Sequence, residues 1–214
     1  MNPTSAMAGT NFSTVLLPGL MAVAIMFSGI AAVALPLAQE FGITREIDDR
    51  VMCPLPVAAV ALEKICFSAM QSVIAAAVVF PLAYYIPVTP VVAHVNNWPY
   101  LIVVLVLASL TSGALGLTIG TSVKPQQIGL IFGVVVMPIT FLGCVYYPWA
   151  ALYPIRWLQI GVLVNPIVYM SEGLRSALTP GPHMPPLLIL TMLVFFLVLL
   201  TWVGIRGFLR RVIG

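Results

Sequence analysis

The sequence predicts an all-α polytopic membrane protein, and three observations carry that prediction. Its 214 residues are 61% hydrophobic and only 7% charged. A soluble domain carries about a quarter charged residues and could not cover its surface with so few polar groups. The apolar stretches recur at lengths of about 20 residues, which suits helices that cross a bilayer and not the alternating, roughly 10-residue segments of a barrel. Charge is also concentrated: five of the six acidic residues, Glu40, Glu46, Asp48, Asp49 and Glu63, lie between Glu40 and Lys64. Helices satisfy their own backbone hydrogen bonds in lipid, so the chain reads as five transmembrane helices plus a re-entrant or interfacial helix pair before the last of them.

In chain order, residues 1–13 are polar and uncharged and lack the basic start of a signal peptide. The first span covers 14–38, with Pro18 in its first turn, where proline is tolerated, and Pro36 near its end. The charged segment 40–64 follows. Within it, Cys53-Pro54-Leu55-Pro56 reads as a turn before a new helix, because residues ahead of proline are pushed out of helical geometry. The second span runs over about 65–86. Pro87, Pro90, Asn96 and Asn97 mark a polar hairpin, with Trp98 and Tyr100 placed as interfacial aromatics. The third span covers 100–122, Lys124–Gln127 is a tight turn, and the fourth span covers 128–145. The segment 146–185 is rich in aromatics and prolines. Its apolar part is short, and Asn165-Pro166 interrupts it, so it is expected as the re-entrant pair. The last span, 186–204, ends in Arg206, Arg210 and Arg211. The distribution of basic residues places the N-terminus outside, and Arg45, Arg50, Lys64, Lys124 and the C-terminal arginines in the cytoplasm. Arg156 and Arg175 then fall outside. One membrane domain fills 1–214.

The chemistry is sparse. No GxxxxGK[ST] is present to cradle ATP phosphates. No ionisable residue falls at the middle of a span, which counts against a proton- or sodium-coupled carrier. Energy is therefore expected from another chain. His94 and His183 are isolated loop histidines, and no metal or cofactor set is predicted. Cys53, Cys66 and Cys144 show no CxxC spacing and read as small apolar side chains. Ser171-Glu172 lacks a matching base, so no enzyme is expected. No run of Lys and Arg points to nucleic acid. The cluster Arg45, Glu46, Asp48, Asp49, Arg50 is either a solvated loop that sets topology or a docking surface for a soluble protein. Its mixed sign favours specific pairing over attraction to anionic lipid. Glu172 and Arg175 share a helix face and either pair, pinning the re-entrant element, or are solvated separately. Gly116-x-x-x-Gly120 and Gly129-x-x-x-Gly133 permit close helix contacts.

Four stretches carry a resemblance. LLPGLMAVAIMFSGI followed by EFGITREIDDRVMCPLPVAAVALEK, then GLTIGTSVKPQQIGLIFGVVVMPITFLGCVYYP, then LVNPIVYMSEGLR, in this order, resemble the ABC-2 type permeases over nearly the whole chain. The resemblance implies a permease subunit of an ATP-driven exporter in the cell inner membrane. It would work as a homodimer in membrane lipid with separate ATPase subunits that bind the ATP, and move an amphipathic drug or a lipid- or sugar-linked substrate. It implies that Glu40, Arg45, Glu46, Asp48, Asp49, Arg50, Pro54, Pro56 and Lys64 belong to the coupling segment that docks on the ATPase, with Lys124 on the same face. Tyr147, Pro148, Asn165, Pro166, Glu172 and Arg175 would belong to short outer helices that close the exit. Such permeases have six spans preceded by an amphipathic surface helix, and this chain starts just before the second. The other readings are a non-transporting assembly or regulatory protein and a secondary carrier.

Overall fold

The computed structural model describes residues 12–44, 57–85, 95, 97–179 and 183–213. Helix α1 (Phe12–Gln39) runs through Pro18 and Pro36 and ends in a π-helical turn, Glu40–Thr44. It extends slightly past the expected span at both ends, and neighbouring helices in a bundle can re-satisfy the carbonyls that each proline frees. Helix α2 (Val57–Tyr85) starts directly after the CPLP sequence. Helix α3 (Trp98–Ser122) is capped by Asn97, whose Oδ1 accepts from the Tyr100 backbone N–H at 3.3 Å. Proline in its first turn has no N–H to lose there.

Among the described residues, four helices are long and apolar enough to cross a membrane: Leu16–Gly42, Ala58–Leu82, Trp98–Ser122 and Pro186–Val212. The segment expected as a span over 128–145 is different. Helix α4 covers only Ile128–Phe141, and its middle, Phe132–Val136, is π-helical. Pro138 accounts for this, because its ring clashes with the carbonyl four residues back and a π-turn relieves that clash. A short α5 (Arg156–Gly161), α6 (Pro166–Leu178) and the long α7 (Pro186–Ile213) complete the chain.

Helix α3 is central and packs on α1, α2 and α7, while α6 packs on α1, α3 and α7. Lipid gives no hydrophobic drive to helix pairing, so close approach of small residues must do the work. A Cβ on Gly116 would lie 2.9 Å from Ile30 Cα, and one on Gly29 would lie 2.0 Å from Ser112 Oγ. Gly116-x-x-x-Gly120 is thus an α1–α3 seam. Nothing lies within 4 Å of a Cβ placed on Gly129 or Gly133, so the second glycine pair faces open space. Five hydroxyls on α3, those of Thr111, Ser112, Thr118, Thr121 and Ser122, return to carbonyls of their own helix, as Thr111 does to Leu107 O at 2.7 Å, which satisfies them without water, while buried Ser109 Oγ has no partner among the described residues. Thr118 Oγ1 also donates to Leu200 O at 3.0 Å and fastens α3 to α7.

The expected re-entrant pair divides into unlike halves. In α5 no residue is buried, whereas α6 is buried along almost its whole length, from Ile167 to Leu178. The bundle has two recognisable ends. Glu40, Lys64, Lys124 and the last turn of α7 mark a charged end, and Tyr100, Trp149 and the start of α7 mark an aromatic end.

Candidate functional site

At the charged end, Lys64 Nζ donates to Glu40 Oε1 at 2.6 Å, and the two side chains are only 12% and 9% accessible. The sequence places both on a docking surface, but the structure turns them toward each other. They join the last turn of α1 to the second turn of α2. Arg45, Glu46, Asp48, Asp49, Arg50, Pro54 and Pro56 lie outside the described residues. The chain enters that segment at Thr44 and leaves it at Val57, so the ion pair sits at its base. Beside it, the π-turn Glu40–Thr44 contacts the 3-10 turn Pro125–Gln127, next to the exposed Lys124. Lys124 thus precedes a turn that packs on the π-turn begun by Glu40.

Arg211 closes this end. Its guanidinium donates to Gly120 O at 3.2 Å and to Val123 O at 2.6 Å, and it lies 5.1 Å from the Phe41 ring centre. These carbonyls end α3, where partial negative charge collects and a cation is stabilising. Phe41 in turn packs edge-on to Phe208 at 6.0 Å. A cavity of about 340 Å³ opens here between Leu35, Gln39 and Gly42 of the α1 segment and Gln126 and Gly129 before and within α4.

The aromatic end holds a buried polar clamp centred on α6. Asn165 Oδ1 caps the helix by accepting from Ile167 N–H at 3.1 Å, while Asn165 Nδ2 donates to Ile139 O of α4 at 2.7 Å. Pro166 takes the first helical position, which needs no N–H donor. One turn further, Glu172 and Arg175 form an ion pair inside the protein. Glu172 Oε1 also accepts from Trp149 N–H at 2.9 Å, and Oε2 accepts from Met184 N–H at 3.3 Å. Arg175 donates to Cys144 O at 3.1 Å, and Ser171 Oγ donates to Gly143 O at 2.8 Å. Cys144 is held at φ 53, a left-handed conformation that costs a non-glycine residue about 1–2 kcal/mol and aims its carbonyl at the guanidinium. Arg175 Nε has no partner among the described residues.

Glu172 and Arg175 therefore pair, as one of the two sequence readings allowed. Their reach to Trp149, Met184 and Cys144 is not visible in the sequence. The only signal was an i,i+3 pair set among Ser171, Gly173 and Leu174, whose small and apolar side chains mark a packed face. Pro148 is buried beside Trp149, and Tyr147 Oη lies 3.4 Å from Phe141 O. Burial first, then the nearby Glu172 carboxylate, pushes the thiol of Cys144 up to about 12, against a smaller opposing pull from Arg175. It is neutral at physiological pH. A second cavity, of about 440 Å³, lies between α4 and the α5–α6 link, lined by Ile139, Leu142, Leu158, Val162 and Pro166, with Asn165 as its polar edge.

Among the described residues, no three His, Cys, Asp or Glu side chains converge as a metal site would need. The arrangement is mechanical, with α1 and α2 stapled by an ion pair at one end and a buried helix cross-tied at the other.

A family model for the ABC-2 type transporter matches residues 4–179. The inner membrane transport permease YadH of Escherichia coli K12 is 26% identical over 196 residues, an alignment that covers 90% of this chain and 73% of the relative. The same protein from Escherichia coli O157:H7 and from Shigella flexneri matches to the same extent. No solved structure gives a significant match. With the family model spanning most of a chain that is helical and membrane-spanning, the protein belongs to the ABC-2 type transporter family as a permease.

Proposed function

We propose that this permease is the membrane subunit of an ATP-driven exporter of the inner membrane, working as a homodimer with a separate ABC ATPase. Its cargo is an amphipathic drug or a lipid- or sugar-linked molecule. The observation that carries this reading is the geometry of the charged end. Thr44 and Val57 flank the charged stretch, the Glu40–Lys64 pair joins α1 to α2 beside them, and the Lys124 turn lies alongside. Two helices joined by an ion pair at this end can take a push together, which unlinked helices cannot. On this reading Arg45, Glu46, Asp48, Asp49 and Arg50 meet the ATPase, Pro54 and Pro56 shape the return, and Glu40 and Lys64 hold the base. This end and the C-terminus face the cytoplasm. The apolar cavity beside α4 offers amphipathic cargo a matching surface.

The test is ATP-dependent efflux in inverted vesicles that hold the chain with its cognate ATPase. Charge reversal at Arg45, Asp48 and Arg50 together is expected to abolish co-purification of the ATPase while membrane insertion persists. Unchanged co-purification refutes the docking role. Uptake that follows a proton gradient and ignores ATP depletion refutes the ATP-driven reading.

A further inference from the structure

The basic residues at the end of α7 divide into two uses. Arg211 turns inward and serves carbonyls of α3. Arg206 and Arg210 are exposed, and neither forms an ion pair with any described acidic residue. They stand four apart, so they share a helix face with Trp202, four residues before Arg206. The Arg206 guanidinium carbon lies 3.7 Å from the Trp202 ring centre, close enough for a cation–π contact that orients the cation. Continuing up the same side of α7, Leu199, Val198 and Phe195 are all exposed, at 39%, 63% and 55%. One face of a single helix therefore grades from bare aliphatic and aromatic surface, through an indole, to two cations.

That order matches a phospholipid laid along a helix, with acyl chains on apolar surface, an indole at the boundary and anionic phosphate against arginine. We infer that Trp202, Arg206 and Arg210 form a binding site for the headgroup of an anionic phospholipid, its chains lying on Phe195, Val198 and Leu199. Two cations without an acidic partner among the described residues would not be matched by a zwitterionic headgroup, which carries its own compensating charge. The Trp202 contact holds Arg206 alongside the helix, so less side-chain freedom is lost when a phosphate binds.

Trp202 reports on its own site. The full-length protein is reconstituted in phosphatidylcholine, and brominated lipids, which quench tryptophan on contact, are added. The Trp202 signal is the difference between the protein and Trp202→Phe. Brominated phosphatidylglycerol is expected to half-quench that signal at a mole fraction about fivefold lower than brominated phosphatidylcholine, given the attraction each basic residue adds near a charged surface. Arg206→Gln with Arg210→Gln should bring the two lipids to parity, and Arg206→Lys with Arg210→Lys should keep most of the preference. Circular dichroism and gel filtration confirm that each variant is folded. Equal quenching by the two lipids in the unaltered protein overturns the proposal, and so does a preference that survives the glutamine pair. Indifference of Trp202 to either brominated lipid also overturns it, because protein or an acidic loop then covers this face.

Discussion

Glu40–Lys64 and Glu172–Arg175 use the same chemistry, a carboxylate against a cation out of water, in unlike surroundings. The first pair is 24 residues apart in sequence and joins two long helices through a single hydrogen bond. The second is three apart within one helix turn, so its pairing follows from helix geometry and does nothing by itself to join elements. Its structural effect comes from the remaining lone pairs and N–H groups, which reach Trp149, Met184 and Cys144. A pair that is remote in sequence thus makes a simple strap, and a pair that is local in sequence makes a hub. The strap leaves the buried Glu40 Oε2 without a partner among the described residues, though its two side chains are not fully enclosed. The hub is sealed.

The largest effect is expected at the hub. Glu172→Ala leaves a guanidinium buried and frees two backbone N–H groups, and should cost about 3–5 kcal/mol in denaturant unfolding of the micelle-solubilised protein. Replacing both partners, Glu172→Leu with Arg175→Met, should cost less than the single change, since no lone charge remains. Equal losses would show that the backbone contacts, not the buried charge, dominate.

The next effect concerns how tightly each region is packed. A Cβ on Gly19 would fall 1.9 Å from the backbone oxygen of Val145, next to the hub, so Gly19→Ala should cost about 1–3 kcal/mol through backbone displacement. Gly133→Ala meets nothing and should be neutral, or stabilising by about 0.4–1 kcal/mol through the unfolded chain. Differential scanning fluorimetry separates the two outcomes. At the strap, a double-mutant cycle on Glu40→Ala and Lys64→Ala should give a coupling of about 1 kcal/mol, between the values for exposed pairs and buried charged bonds. The exchanged pair, Glu40→Lys with Lys64→Glu, should recover most of it.

Thiol labelling gives the smallest and sharpest contrast. Cys66, two residues from Lys64, is exposed, and Cys144 is buried. With its pKa at about 12, Cys144 stays a neutral thiol at every pH below about 10, and only the thiolate reacts fast. Maleimide at pH 8 should label the Cys144→Ala variant and the unaltered protein to the same extent while both are folded. Denaturation should then reveal one more thiol in the unaltered protein.

The long helices were legible because each rests on a local signal, an unbroken apolar run. The limits of α3 follow from Asn97-Trp98-Pro99 and from Lys124-Pro125 almost to the residue. What the sequence did not disclose depends on three-dimensional closure. Nothing local to Glu40 or Lys64 says that they face each other. The apolar run of 128–145 does not reveal that Pro138 would force a π-turn and that the helix would stop at Phe141. The burial of α6 was missed for a related reason. It carries two charges, and their cost is met by backbone groups from Cys144, Trp149 and Met184, none adjacent to it in sequence.

The shortness of α4 has a consequence for the surrounding bilayer. At 1.5 Å per residue, Ile128–Phe141 is about 21 Å long, against a hydrocarbon core of about 30 Å. Its exposed side chains Leu130, Val134, Met137 and Phe141 set a hydrophobic belt of that reduced height. Lipid meeting the belt must compress, or headgroups and water must sink toward it, at a cost of fractions of a kcal/mol per Å. Wherever lipid covers this face, a molecule with one polar end has less oil to cross than beside the long helices.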